Sequence, residues 1–421
     1  MELDGIWKGI GNEKEKTILG IVQNGKEVTL SNCIGTKFQV GGLGNSYFKV
    51  DQAYIGCHFP EKITFRVVYV NFNLLNDWAN LTGMSYKRDL KKVIPDIHYK
   101  VPEPIRIFQN KEFEVYIETI GNFKINRFGQ KKAEVSEISY FKVKFLRNEY
   151  DIENIFHINY HLRNLLSLAT LEPVVPLDFF GYSEASEVII SHKKIKKKVE
   201  IFYKPVLSAK FVEEMIPQQM LFNFQEIQVT SQEKIRKWFE NAETLKPVFS
   251  LYFAVIHNPP PFTEERFLFL IQALEVYHRR TREGKELPEQ VHQKRIQQIL
   301  DAVPQQHIEW LKGKLEYSNE LSLRKRLKEI YEEFLCILNS FMKKGSFINL
   351  VVDTRNYLTH YDEGLNESCP RGKELFYLSK QLEIILQLCF LKELGFTRDE
   401  MELLFKRYQA NQVKFLAAPE T

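Results

Sequence analysis

The sequence predicts an α+β chain of two domains: a β-rich N-terminal domain with a few helices over residues 1–225, then an all-α bundle over 226–421. Three observations carry this. Apolar residues in the first half recur at every second position, the period of a half-buried strand. Beyond about residue 225 that period lengthens to about 3.6, the signature of amphipathic helices. A chain of 421 residues, at roughly 150 per domain, has room for two or three cores.

In the β half, two apolar stretches at 18–24 and 28–33 flank Asn24-Gly25. That pair predicts a hairpin with a type I′ turn, because both central residues of such a turn need positive φ. Ile63, Phe65, Val67 and Tyr69 alternate onto one strand face, as do Phe113, Val115 and Ile117. In the stretch 138–145, Ile138, Tyr140, Lys142 and Lys144 take one face and Phe141, Val143 and Phe145 the other. A short helical piece at 74–82 offers Trp78 as a core anchor. A longer helix at 151–171 carries Ile152, Ile155, Phe156, Leu162, Leu165, Leu166 and Leu168 at helical spacing, and Pro173 and Pro176 stop it. Strands at 187–191 and 199–203 follow, on either side of a lysine cluster.

In the helical half, Thr230-x-x-Glu233 has the form of a capping box ahead of Ile235, Trp238 and Phe239. Thr263 is placed to cap a helix with Phe267, Leu270, Ile271 and Leu274. One helix should carry Leu323, Leu327, Ile330, Phe334, Ile337 and Phe341, a shorter one 347–360, and a long one Leu375, Leu378, Leu382, Ile385 and Cys389. Gly395 ends the last of these, and Thr397-x-x-Glu400 caps the next helix.

Composition narrows the function classes. With 32 Phe and 19 Tyr the chain has the apolar area that a mostly disordered protein lacks. A net charge of +4 is too small for a general nucleic-acid coater, so any basic groove must come from local clustering. The five cysteines are scattered without a C-x-x-C, which argues against a disulfide framework or a Cys-based zinc site. The start Met-Glu-Leu-Asp has no signal-peptide pattern, and no apolar run approaches the roughly 18–20 residues of a membrane span. A reduced, soluble, cytoplasmic protein without a membrane partner is expected. Without a Walker A loop or a G-x-G-x-x-G opening a helix, no nucleotide cofactor is expected either.

One segment stands out chemically: Asp353-Thr354-Arg355-Asn356-Tyr357-Leu358-Thr359-His360, at the end of an apolar helix and before Tyr361-Asp362-Glu363-Gly364. A His in a last helical turn near carboxylates is biased toward imidazolium, and proton transfer near neutral pH needs a His poised between its two forms. Asn356 and His360, four apart, share a face, so Asn356 can orient the ring. Arg355 is about 140° round but long enough to reach the same opening. A permanently charged Arg beside a His suits metal-independent RNA cleavage: the His moves the 2′-OH or leaving-group proton, and the Arg holds charge on phosphorus. A symmetric dimer would double this thin set in one shared cleft. Spacing alone also fits a solvated helix end.

Other residues have paired readings. Glu275 either bridges Arg279 on a solvated face or acts as an acid orienting Arg355 or another basic group. Glu153, His157 and His161 share one helix face but span about 12 Å, too far for three ligands of one ion, so no metal is expected. The run 192–198, with Lys196 and Lys197, is either a solvated hairpin or an edge that contacts phosphate. The same choice applies to Arg324, Arg326 and Lys328, which are the better RNA-contact candidates for lying in the bundle.

Arg355-Asn356-Tyr357-Leu358-Thr359-His360 resembles the R-N-x3-H motif of HEPN nucleases, and residues 267–280 are similar to the first core helix of the Apea-like HEPN subgroup. The front half, with Gly5-Ile6-Trp7 and the Asn24-Gly25 hairpin, resembles the N-terminal domain that accompanies this subgroup in bacterial abortive-infection proteins. The resemblance implies an all-α HEPN bundle acting as an anti-phage endoribonuclease on RNA of the translation machinery, tRNA above all. It implies Arg355 and His360 as the catalytic pair with Asn356 in support, a homodimer, and a phage-derived protein or other trigger as a further partner. Two rival readings are a non-catalytic bundle that only docks RNA or a protein, and a carbohydrate-binding β domain resting on the alternating aromatic strands.

Overall fold

Alternating apolar side chains build the first unit around one large sheet. The computed structural model describes residues 16–38, 46–87, 96–125, 133–203, 210–340 and 342–416, in two compact units, Met1–Arg236 and Lys237–Thr421. Gly5-Ile6-Trp7 and Phe341 lie outside the described residues. The strands begin with β1 (Lys16–Ile21), β2 (Glu27–Phe38), β3 (Ser46–Ile55), β4 (Thr64–Phe65), β5 (Val67–Phe72), β6 (Met84–Lys87) and β7 (Asp96–Tyr99). They continue with β8 (Ile105–Gln109), β9 (Phe113–Ile125), β10 (Ala133–Phe145), β11 (Tyr150–Asp151) and β12 (Pro176–Tyr182), then β13 (Glu187–Ile190), β14 (Lys193–Lys196) and β15 (Val199–Tyr203). Nine of them form a sheet in the order β1-β2-β3-β15-β12-β5-β10-β9-β8, with its neighbours antiparallel.

The buried face carries Val68, Val70, Val115, Ile117, Phe141, Val143 and Phe145, all at 0% exposure. Helix α1 (Leu75–Ala79) presses Trp78 against Phe141 and Phe224, with ring centroids 6.1 and 5.5 Å apart. Helix α2 (Ile152–Thr170) packs Phe156 on Phe179 of β12 and Tyr203 of β15. Leu171, left-handed at φ 59°, ends it ahead of Pro173. On the other face Tyr69 stacks on Phe180 at 4.9 Å, with Tyr140 and Tyr182 edge-on to Tyr69. Lys142 and Lys198 lie over the Tyr69 and Phe180 rings. These aromatics face each other, as packing residues do.

Two details depart from the strand reading. The loop after β1 is not type I′: the Val22 N–H reaches the Lys26 carbonyl and the Gly25 N–H the Val22 carbonyl, leaving Gly25 alone at positive φ (81°). This is the three-residue hairpin, in which a turn is followed by one left-handed residue. Ser191 and His192, both left-handed, instead make the two-residue turn between β13 and β14. Second, the face expected to hold Ile63, Phe65, Val67 and Tyr69 changes phase at Arg66, whose side chain bonds the Leu146 and Arg147 carbonyls. Beyond it Val68, Val70 and Phe72 are the enclosed residues, because one irregular residue inverts a period of two.

The helices continue with α3 (Phe224–Ile227), α4 (Ser231–Glu240), α5 (Lys246–His257), α6 (Thr263–Thr281), α7 (Glu289–Asp301) and α8 (Ile308–Leu315). They end with α9 (Leu323–Glu333), α10 (Leu335–Leu338), α11 (Lys344–His360), α12 (Lys373–Glu393) and α13 (Arg398–Leu416). The bundle core gathers Trp238, Phe249, Phe253 and Phe390, with Trp238 stacked on Phe249 at 4.5 Å. Gly395 (φ 83°) follows α12, and Thr397 and Glu400 form the predicted reciprocal cap. A further box lies at α3, where Asn223 and Glu226 cap each other, and the Thr230 hydroxyl donates back to the Ile227 carbonyl. Thr263 is the first helical residue, not the cap. The helix expected through Phe334 breaks there into α9 and α10.

Candidate functional site

Helix α11 forms because Phe347, Ile348, Val351 and Val352 give it one apolar side, all four being buried. Its last turn is polar. Tyr361 closes it in the left-handed region (φ 53°), with its N–H on the Tyr357 carbonyl at 2.6 Å. A bulky residue in that conformation costs about 1–2 kcal/mol, so the helix is made to stop one residue after His360.

His360 is exposed, and its ring has no hydrogen-bond partner among the described residues. Arg355 is half-buried, and its Nη1 donates to the Asn356 side-chain oxygen at 3.3 Å. Asn356 thus holds the guanidinium, where the sequence reading had it orient the ring. The Thr359 hydroxyl donates to the Arg355 carbonyl at 2.7 Å and satisfies one of the last carbonyls.

Arg324 lies against the same side of α11. Its guanidinium donates to Asn349 and, at 3.4 Å, to Asp353. At 100° per residue, Asn349, Asp353, Asn356 and His360 fall within about 60° of one another, forming a polar stripe along α11. Lys344 pairs with Glu332, so α9 runs antiparallel to α11. Arg324 is therefore nearer His360 than Lys328, which is exposed one turn further along α9.

Arg326 is elsewhere. It is 1% exposed, donates to the Leu321 carbonyl at 3.0 Å and to Nδ1 of His278 at 3.1 Å, and has no surface to offer a phosphate. Its position explains this: Leu323, Arg326, Leu327 and Ile330 follow the apolar spacing of α9, so Arg326 points inward. His278 is itself fully buried and contacts Glu329 through Nε2 at 2.7 Å. An Arg has only donors, so Nδ1 is the acceptor and Nε2 carries the proton. Burial first, and then Arg282 and Arg326, hold the His278 pKa below its usual value despite Glu329. The Glu275 carboxylate accepts from Arg279 at 3.1 and 3.2 Å, the i, i+4 pairing.

In the first unit, Lys196 ends β14 and Lys197 follows it in the exposed hairpin; the Lys197 N–H is held by the Ser186 carbonyl at 3.0 Å. His157 and His161 meet at 3.3 Å through their Nε2 atoms. Among the described residues no group of three or more His, Cys, Asp or Glu is arranged to hold a metal ion. No helix among them is long and apolar enough to cross a membrane.

A cleft of about 480 Å³ opens beside the end of α11, and sequence reasoning missed it. Its walls come from Phe262, Glu264, Glu265 and Leu268 around the start of α6, from Tyr357, Leu358 and Tyr361, and from the Cys369–Leu375 segment. Arg355 and His360 are not among its lining residues; the other side of the same helix end is. The one local signal was Tyr357 and Tyr361 at i, i+4, with rings 5.8 Å apart.

A β-rich unit thus precedes a helical unit whose exposed helix end carries Arg-Asn-x3-His. The Apea-like HEPN family model matches residues 268–400, and that of ApeA N-terminal domain 1 matches residues 3–238, more than half of the chain. The chain belongs to this Apea-like HEPN family. Membership implies, at family level, a HEPN nuclease-type role in defence against phage. No curated protein and no solved structure matches the chain.

Proposed function

We propose that this protein is a metal-independent endoribonuclease of anti-phage defence, acting in the cytoplasm on RNA of the translation machinery, with tRNA the first candidate. What carries the reading is the state of the helix end: among the described residues the exposed His360 ring is unbonded, and Asn356 alone takes a hydrogen bond from the Arg355 guanidinium. Such groups are free to engage a substrate, and a structural ion pair would have consumed them.

His360 takes the proton from a ribose 2′-OH; the 2′-oxygen bonds to phosphorus while the bond from phosphorus to the 5′-oxygen breaks, and that oxygen receives a proton. The products are a 2′,3′-cyclic phosphate and a 5′-hydroxyl. Arg355 carries the extra negative charge on the phosphoryl oxygens. One His holds one proton-transfer role at a time, so a homodimer that sets a second His360 beside the first supplies base and acid together. The exposed Arg324, Lys328 and Lys197, with the half-buried Lys196, are the cations assigned to backbone phosphates. A phage-derived protein or other trigger is the partner assigned to activation.

The test is incubation of wild-type and His360→Ala protein with total bacterial tRNA in EDTA, followed by end-group analysis. Fragments ending in 2′,3′-cyclic phosphate from wild type alone support the reading. Cleavage by a folded His360→Ala protein overturns it. No cleavage by either, with and without phage lysate, favours the non-catalytic docking module.

A further inference from the structure

The cleft beside α11 shares the helix turn that carries the catalytic pair, yet neither of that pair lines it. Tyr357, Leu358 and Tyr361 line it, and they alternate in sequence with Arg355, Asn356 and His360. A helix is only about 10 Å across, and this one stops at Tyr361, so one nucleotide can lay its phosphate on one side and its base on the other. We infer that the cleft is a nucleobase subsite and that it selects guanine; this rests on the ribonuclease reading above.

Two features point to a base. Tyr361 and Phe262 leave 71% and 63% of their surface exposed at its rim, and exposed aromatic rings are the usual platforms for unstacked bases. The volume of about 480 Å³ exceeds that of one base.

The lining chooses the base. Glu264 and Glu265 make no hydrogen bond or ion pair among the described residues, and two carboxylates reject a phosphate. A carboxylate accepts two adjacent N–H groups at once, and guanine alone among the four bases offers that pair, from N1 and N2. Arg371 lines the same cleft; one of its guanidinium nitrogens donates to Asn366, and its remaining donors serve guanine O6 and N7.

The test uses the full chain and binding of the four ribonucleoside 3′-monophosphates, followed by tyrosine fluorescence. Guanosine 3′-monophosphate should bind at least about tenfold more tightly than the other three, to wild type and to His360→Ala alike. The Glu264→Gln/Glu265→Gln protein should lose that preference, and Phe262→Ala should weaken all four nucleotides together. Equal binding of the four, no binding, or a preference that survives the glutamine pair overturns the subsite. Guanine-selective binding by a protein that cuts no RNA keeps the subsite and removes the nuclease reading. Cleavage without base preference does the reverse.

Discussion

Arg326 Nη1 and His278 Nδ1 meet at 3.1 Å inside the bundle, a cation bonded to a neutral imidazole that donates its one N–H to Glu329. The contact ties α9 to α6, and α9 carries Arg324 onto α11. Removing Arg326 leaves the Leu321 carbonyl and His278 Nδ1 buried without a donor. We therefore expect Arg326→Ala to destabilise the protein by about 3 kcal/mol or more, measured by urea denaturation, and to lower activity only in proportion to the folded fraction.

The same His makes stability depend on pH. Its folded pKa is depressed below the unfolded value near 6.5, so the unfolded chain binds the extra proton first. The contribution is complete above about pH 6.5 and is lost as pH falls through the folded value. The unfolding free energy of wild type should decline on acidification, and His278→Gln should flatten that slope. An unchanged slope in the variant would remove His278 as its source.

Arg355→Ala and His360→Ala should each cut cleavage by about 10²- to 10⁴-fold. Both lie outside the core, so unfolding free energies should stay within about 0.5 kcal/mol of wild type. Arg355→Lys should fail nearly as badly, since a point charge lacks the fork that spans two oxygens.

Mixing wild type with an inactive protein tests the dimer. If base and acid come from the two His360 rings, a heterodimer of wild type and His360→Ala holds only one of them, so refolding the two together in equal amounts should cut activity per wild-type chain by about half. Activity per wild-type chain that mixing leaves unchanged would place all the chemistry in one chain.

Salt dependence tests the phosphate contacts. Arg324→Ala and Lys328→Ala should each reduce the slope of log binding constant against log salt by about one. For Arg324 the loss includes its hold on Asn349 and Asp353, so the Arg324 variant should also shift the cleavage rate.

Much of this was legible because periodicity reports which side of an element is enclosed. The helices α2, α6, α11 and α12, the Trp78 anchor and the cap at Thr397 all follow from local pattern. Arg326 was misread because a run of basic residues resembles a solvated face, although its phase with Leu323 and Ile330 already pointed inward. The strand phase change at Arg66 depends on carbonyls some 80 residues away, which no local window contains. The exposed Arg355–Asn356–His360 end was readable from one segment. The cleft was not, since its walls come from three.

The sheet of the first unit sets a timetable. Pairing of β3 with β15 joins Ile55 to Glu200, so the sheet stays open until the ribosome has made nearly all of that unit. At roughly 5–20 residues per second, the segment holding His360 follows β15 by about ten to thirty seconds. Non-local antiparallel sheets of this sort fold in milliseconds to seconds. The β unit therefore has time to assemble before its own chain contains the Arg355–His360 segment, so during synthesis the sheet precedes the helix end to which cleavage is assigned by proposal.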